Sequence, residues 1–118
     1  MSAISPRWSH ATLKSCYDTA LDQATIDLGL AEADHEYWQP STNLAQARRL
    51  AFDGLRLAGW SLEYTVRGAG HLLQYDGCCH AYKGQRHETV FWGGPGHADT
   101  EATALTRLAC WCATGEEG

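Results

Sequence analysis

Apolar residues recur at helical intervals in three segments of the chain. The first segment covers residues 9–28 and is followed by Gly29, and the second covers residues 41–58 and is followed by Gly59. Glycine is common just past a helix end because it adopts left-handed backbone angles without strain. The third segment covers residues 99–113, with Asp99 placed to cap its first turn. The pattern therefore predicts three helices.

The second segment has the most regular helical pattern. Its amino end can be capped by Ser41, Thr42 or Asn43, each of which has a side-chain oxygen that can accept a bond from an unpaired backbone N–H. The i, i+3, i+4 rule predicts one apolar face, widened by two further leucines, which consists of Leu44, Ala47, Leu50, Ala51, Leu55, Leu57 and Ala58.

Between the second and third helices the period of the pattern changes to two. Apolar side chains from Trp60 to Val66 alternate with polar ones, which predicts a strand with one buried and one solvated face. Further strands are predicted at HLLQY, CCHAYK and HETVFW. Asp76-Gly77 is a two-residue hairpin signal between the first two of these, and residues 84–86 form the next turn.

The order helix, helix, antiparallel strands, helix predicts an α+β fold. We expect a small layered α/β sandwich with two helices, an antiparallel sheet of three to four strands and a C-terminal helix. The 118 residues are expected to form a single domain, residues 1–118.

Composition narrows the possible partners. Apolar residues make up 44% of the chain and charged residues 19%, which is typical of a soluble globular protein. There is no run of 18 apolar residues and no apolar leader-like segment, so we expect a cytoplasmic protein without a membrane partner. The net charge of −5 repels phosphate backbones and disfavours direct nucleic-acid binding.

Two stretches carry a family resemblance: YWQPSTNLAQARRLAFDGLRLAGWSLEY and GHADTEATALTRLACWCA. In them a polar Ser41–Thr42 turn opens an alanine-rich helix, an aromatic strand begins at Trp60, and residues 98–100 open the last helix. This order, over about two-thirds of the chain, resembles the phage ABA sandwich domain family of small bacteriophage and prophage proteins. The resemblance implies an α–β–α layered fold, a phage or prophage origin and no catalytic residue.

The cysteines and histidines raise the question of metal binding or thiol chemistry. Cys78 and Cys79 are adjacent, so on a strand they point to opposite faces, whereas Cys78 and His80 share a face and could bind a metal together with His71 or His87. A nucleophilic Cys78 or Cys79 beside a histidine is a further alternative. We interpret the thiols as reduced and half-buried, and we expect no metal, no cofactor and no enzyme activity.

The loop before the last helix suggests an alternative ligand site. Helix amino ends bind anions, so a small nucleotide could stack on Trp92 and contact His97 near Asp99. The preferred interpretation is a turn without a ligand, since the Asp99 carboxylate would occupy the free N–H groups.

A protein-binding patch is predicted around Tyr37 and Trp38, with Asp34 and Glu36 steering a basic partner. The alternative is that these aromatic residues cover the end of a small core. We expect the chain to bind and inhibit a host protein, for example a basic surface of a defence complex, as a counter-defence, anti-CRISPR-like inhibitor in the host cytoplasm. A small-molecule or zinc-binding protein and an oligomeric phage structural protein are the alternatives, the last through pairing of an edge strand.

Overall fold

The computed structural model describes residues 8–31, 37–66, 76–94 and 99–114. Within these ranges the expected α+β fold is confirmed: helices precede a three-stranded antiparallel sheet, and a C-terminal helix follows it. The helices are α1 (His10–Lys14), α2 (Asp18–Asp27), α3 (Leu44–Arg48), α4 (Leu55–Leu57) and α5 (Glu101–Ala113), and the strands are β1 (Ser61–Val66), β2 (Gly77–Lys83) and β3 (Arg86–Trp92).

The prediction of one helix over residues 9–28 is wrong, because the chain turns between α1 and α2 and Asp18 adopts a left-handed φ of 49°. Arg107 of α5 explains the break. Its guanidinium donates to the carbonyl oxygens of Leu13 (3.1 Å) and Cys16 (2.7 Å), which a continuous helix would pair with amides four residues later. The stop at Gly29 is confirmed by its φ of 77°.

Residues 44–57 form one continuous helix whose middle, Arg49–Gly54, is π-helical. Of the three possible caps, Asn43 is the one that accepts a bond from the amide of Gln46 at 3.1 Å. The predicted end is confirmed, since Gly59 has a φ of 96°.

The π-helical segment changes which residues of this helix are buried. Ala47, Ala51 and Leu55 are buried as predicted, but Leu57 is 90% exposed. The wider π turn adds one residue and rotates everything after it by about 100° relative to a regular helix. The predicted burial of Ala58 is wrong for the same reason. Leu44, which precedes the π turn, is also exposed.

The sheet has the order β1-β2-β3. The predicted turn before β3 is confirmed, because Lys83 pairs with Arg86 across a two-residue connection. The predicted Asp76-Gly77 hairpin turn is wrong: Gly77 is the first residue of β2 and pairs with both Val66 and Trp92. The strand predicted at HLLQY lies outside the described residues.

The core lies between one face of the sheet and the helices. Cys79, Ala81, Val90 and Trp92 belong to the same buried cluster as Leu105 of α5. All residues of α5 from 102 to 112 are buried, since the sheet packs on one side of α5 and α1, α2 and α3 pack on the others. β1 is an edge strand, so its alternate residues Tyr64 and Val66 stay exposed, contrary to the predicted dry face.

Candidate functional site: an apolar pocket beside the π-helical segment

A pocket of about 270 Å³ lies between the π-helical segment and the carboxyl end of α5. Its buried and half-buried wall is apolar and consists of Leu30, Trp38, Leu50, Leu55, Trp60 and Cys112. Exposed residues Arg49, Asp53 and Gly54 also line it, and place one positive and one negative side chain beside the apolar wall. We refer to this feature as the indole pocket.

Hydrogen bonds and stacking hold the two indoles of the pocket in place. The indole N–H of Trp38 donates to the hydroxyl of Thr25 at 2.7 Å, and this bond is buried. The guanidinium of Arg86 lies over the Trp60 ring, 5.1 Å from its centroid. Rings fixed in this way form a rigid apolar surface. Ligand binding then costs little side-chain entropy, because the rotamers are already ordered.

The Cys112 thiol in the wall is uncharged at neutral pH. Burial, with a smaller contribution from the negative charge of Glu88, raises its pKa to about 12, against the opposing effect of Arg86. A neutral thiol behaves as a small apolar group. The indole pocket therefore suits noncovalent binding of an apolar ligand better than nucleophilic chemistry.

The other core thiols are equally unsuited to act as nucleophiles. Burial raises the pKa of Cys79 to about 12, with a smaller contribution from the neighbouring Cys78, and burial also raises the pKa of Cys110. Because the thiolate is the nucleophile, a thiol held protonated is inert. The full burial of Cys79 and its raised pKa therefore disfavour the alternative of a nucleophile at that position.

The two described residues of the predicted protein-binding patch, Tyr37 and Trp38, differ in exposure. Trp38 is only 7% exposed and packs against Leu50 and Ala109, so the prediction that it is a surface anchor is wrong. Its indole N–H finds a partner in Thr25, which makes burial favourable. Tyr37 is 72% exposed and remains accessible. Asp34 and Glu36 lie outside the described residues.

The alternative ligand site at Trp92, His97 and Asp99 is not supported by the positions of its described members. Trp92 is buried in the core and stacks on Tyr64 with centroids 5.7 Å apart, so it cannot stack on a nucleotide. Asp99 binds the guanidinium of Arg107. The cap of α5 is Thr100, whose hydroxyl accepts from the Thr103 amide at 3.2 Å, so the prediction of Asp99 as the cap is wrong. His97 lies outside the described residues.

The alternative metal ligands are partly brought together. The Cys78 sulfur lies 3.9 Å from Nε2 of His80, and Nδ1 of His80 lies 3.0 Å from Nε2 of His87. Cys78 and His87 thus contact opposite nitrogens of the same ring. Within the described ranges, no three or more His, Cys, Asp or Glu side chains are grouped so that they could hold a metal ion. His71 lies outside these ranges.

One residue in the sequence, Gly54, points to the indole pocket although the helical pattern of apolar residues gives no reason for it. Gly54 follows Asp53 in the middle of a predicted helix, where glycine costs up to about 1 kcal/mol relative to alanine. An added Cβ at Gly54 would meet only the carbonyl oxygen of Arg49, at 3.7 Å. The glycine therefore has no packing reason of its own, and it lines a pocket.

No family model, curated protein or solved structure matches this chain. The resemblance to the phage ABA sandwich domain family therefore stays a prediction. Among the described residues, no helix is both long enough and apolar enough to cross a membrane.

Proposed function

We propose that the chain is a noncovalent binding protein for a small planar apolar molecule, which it takes up in the indole pocket. The observation that carries this proposal is the pairing of Trp38 and Trp60 as fixed walls of one pocket whose buried lining is apolar. Aromatic rings attract flat ligands by offset stacking as well as by burial of apolar area. A few polar groups at the rim are typical of small-molecule pockets.

The volume sets the size of the ligand. An apolar cavity of about 150 Å³ accepts a single benzene ring, and the indole pocket measures about 270 Å³. We therefore expect a ligand of about two fused rings, or of one ring with a short substituent. The π-helical wall supports a binding role, because π-helical turns occur frequently at functional sites.

The test uses three two-ring probes, indole, quinoline and naphthalene, and follows the indole N–H signals of the protein by NMR. We expect saturable shifts of the Trp38 and Trp60 signals with one of these probes. Gly54→Leu should weaken binding about tenfold or more, because it adds a bulky side chain at a residue that lines the pocket and where a Cβ has room. The same variant should not lower stability, since leucine is a better helix former than glycine.

Leu57→Gln is the matched control, because Leu57 belongs to the same continuous helix and is 90% exposed. It should bind the probes as the natural chain does. The proposal is refuted if none of the three probes shifts the Trp38 and Trp60 signals, or if Gly54→Leu binds them with unchanged affinity.

Binding and inhibition of a host protein is a second candidate function, favoured by the exposure of Tyr37. Its ring is 72% exposed, and exposed tyrosines are common anchors of protein interfaces. The net charge of −5 suits a basic partner surface. Native mass spectrometry of protein isolated gently from its host would test this. A bound protein of tens of kilodaltons that is lost in Tyr37→Ala, and retained in Leu57→Ala, is the expected result.

A further inference from the structure

The sheet has an outer face, opposite the core, that is rich in rings and polar side chains. Alternate residues of β2 and β3 form it: Cys78, His80, Tyr82, His87, Thr89 and Phe91. The register places His80 opposite Thr89 and Tyr82 opposite His87. His87 stacks on Tyr82 with centroids 4.5 Å apart, which fixes the position of the imidazole. The indole pocket and its proposed function do not use any of these residues.

Three atoms of the outer face form a nearly equilateral triangle. Nδ1 of His80 lies 3.0 Å from Nε2 of His87 and 2.9 Å from Oγ1 of Thr89, and the third edge, between Thr89 Oγ1 and His87 Nε2, is 2.8 Å. The Thr89 oxygen always carries lone pairs, and each of the two nitrogens carries one when the hydrogen of its neutral imidazole is on the other ring nitrogen. When both nitrogens lack a hydrogen, their lone pairs face each other across 3.0 Å, an arrangement that a cation would relieve.

The size of the triangle matches one face of an octahedral metal complex. Ligand atoms about 2.1 Å from a metal ion lie about 3.0 Å apart when they subtend a right angle at it. We propose that His80, His87 and Thr89 form a surface site for a late first-row divalent cation, with two imidazole nitrogens and one hydroxyl oxygen on one face of its coordination sphere. Water would complete the other positions, since His87 is exposed and the other two residues are half-buried.

The donor types select the class of ion. Imidazole suits nickel, copper and zinc, whereas magnesium and calcium prefer oxygen ligands throughout. Glu63 of β1 lies directly opposite His80 on the same face, and its carboxylate accepts a hydrogen bond from the Tyr82 hydroxyl. This negative charge, together with a net charge of −5, attracts a cation. Cys78 is not a ligand in this arrangement, because it contacts the opposite nitrogen of His80.

The experiment is a calorimetric titration of untagged, chelator-treated protein with Ni²⁺, which favours octahedral coordination. We expect one site whose affinity falls about tenfold or more in His87→Gln. Thr89→Val, which keeps the β-branched shape, should weaken binding several-fold. An electron paramagnetic resonance spectrum of the Cu²⁺ complex should show two coordinated nitrogens in the natural chain and one in His87→Gln.

His10→Gln is the control, because His10 contacts Glu88 on the core side of the sheet at 3.1 Å and offers a rival nitrogen–carboxylate pair. It should bind Ni²⁺ as the natural chain does. The proposal is overturned if the natural chain gives no saturable heat, if His87→Gln binds with unchanged affinity, or if His10→Gln abolishes binding. An unchanged affinity in Thr89→Val would overturn the role given to the hydroxyl.

Discussion

The two sides of the sheet place similar side chains in opposite environments. Cys79 points toward α5, is fully buried, and has a pKa raised to about 12. Its neighbour Cys78 points to the outer face and is also buried, at 4% exposure, but its sulfur lies 3.9 Å from an imidazole nitrogen instead of among apolar side chains of the core. On the core side the buried wall of the indole pocket is apolar and the charged residues Arg49 and Asp53 lie at its exposed rim, whereas polar atoms on the outer face contact one another within hydrogen-bonding distance.

This contrast determines what each side can do. A rigid pocket with an apolar wall selects a ligand by shape and apolar area. A partly exposed group of two imidazoles and a hydroxyl selects a ligand that accepts their lone pairs or complements their charge. The two proposed sites can therefore be tested separately, and a substitution on one side should leave the other side unaffected. The following predictions are ordered from the largest expected effect to the smallest.

The largest expected difference is between Trp60→Ala on the core side and Tyr82→Ala on the outer face. Trp60 belongs to the main buried cluster, so its truncation should lower the free energy of unfolding by about 3–5 kcal/mol. Tyr82→Ala removes two stacked ring pairs, with His87 and His80, and a hydrogen bond to Glu63 on a half-exposed face, and should cost about 1–2 kcal/mol. Urea unfolding curves of the two variants measure both values. Equal losses would show that the two sides do not differ in packing.

Alkaline pH should weaken the core side through its thiols. Burial raises the pKa of Cys79 and of Cys112 from 9.0 to about 12 in the folded chain. Each thiol therefore contributes stability that is fully present below pH 9 and is lost as the pH rises toward 12, because only the unfolded chain then releases the proton. The slope should be at most about 1.4 kcal/mol per pH unit for each thiol.

Urea unfolding in a reducing buffer at several pH values from 7 to 11 measures this slope. Cys112→Ala should lose stability less steeply above pH 9 than the natural chain does. Below pH 8 the two curves should run parallel, because neither folded nor unfolded thiols ionise much there. Parallel curves up to pH 11 would contradict a pKa raised by burial.

Local features of the fold could be predicted because neighbouring residues determine them. Asn43 was one of three candidate caps, and Gly59 and the Gly84-Gln85 turn lie where their sequence predicts. The break between α1 and α2 could not be predicted, because the Leu13 carbonyl at the break is bound by Arg107, which lies 94 residues away in the sequence. Periodicity has no information about such a contact.

The candidate sites show the same limit. Alternation along the strand predicted that Cys78 and His80 share a face. In the structure, the register of the two strands brings His80 near His87 on that face. The indole pocket was not predicted, because four separate segments contribute to it and the π-helical turn leaves no distinct pattern in the sequence. Trp38 was predicted to be exposed because its hydrogen-bond partner, Thr25, lies in α2, 13 residues earlier in the sequence.

A smaller effect is expected at the rim of the indole pocket. Gly54 has helical backbone angles, with φ −63° and ψ −47°, and an added Cβ would meet one atom at an ordinary contact distance. Gly54→Ala should therefore raise the free energy of unfolding by about 0.5–1 kcal/mol, mainly by restricting the unfolded chain. Thermal unfolding followed by circular dichroism measures the change. A loss of stability would show that the π-helical turn requires glycine.

The smallest effect is expected at Leu57, and it tests the π-helical turn itself. In a regular helix Leu57 would lie seven residues after Leu50 on the same buried face, and replacing it by glutamine would cost about 2 kcal/mol or more. With the added residue of the π turn it is 90% exposed. Leu57→Gln should therefore change the free energy of unfolding by less than about 0.5 kcal/mol, whereas Leu50→Ala should lower it by about 2–4 kcal/mol. Urea unfolding distinguishes the two cases. A large loss in Leu57→Gln would mean that the helix is regular, that Leu57 faces the core, and that the wall of the indole pocket is built differently.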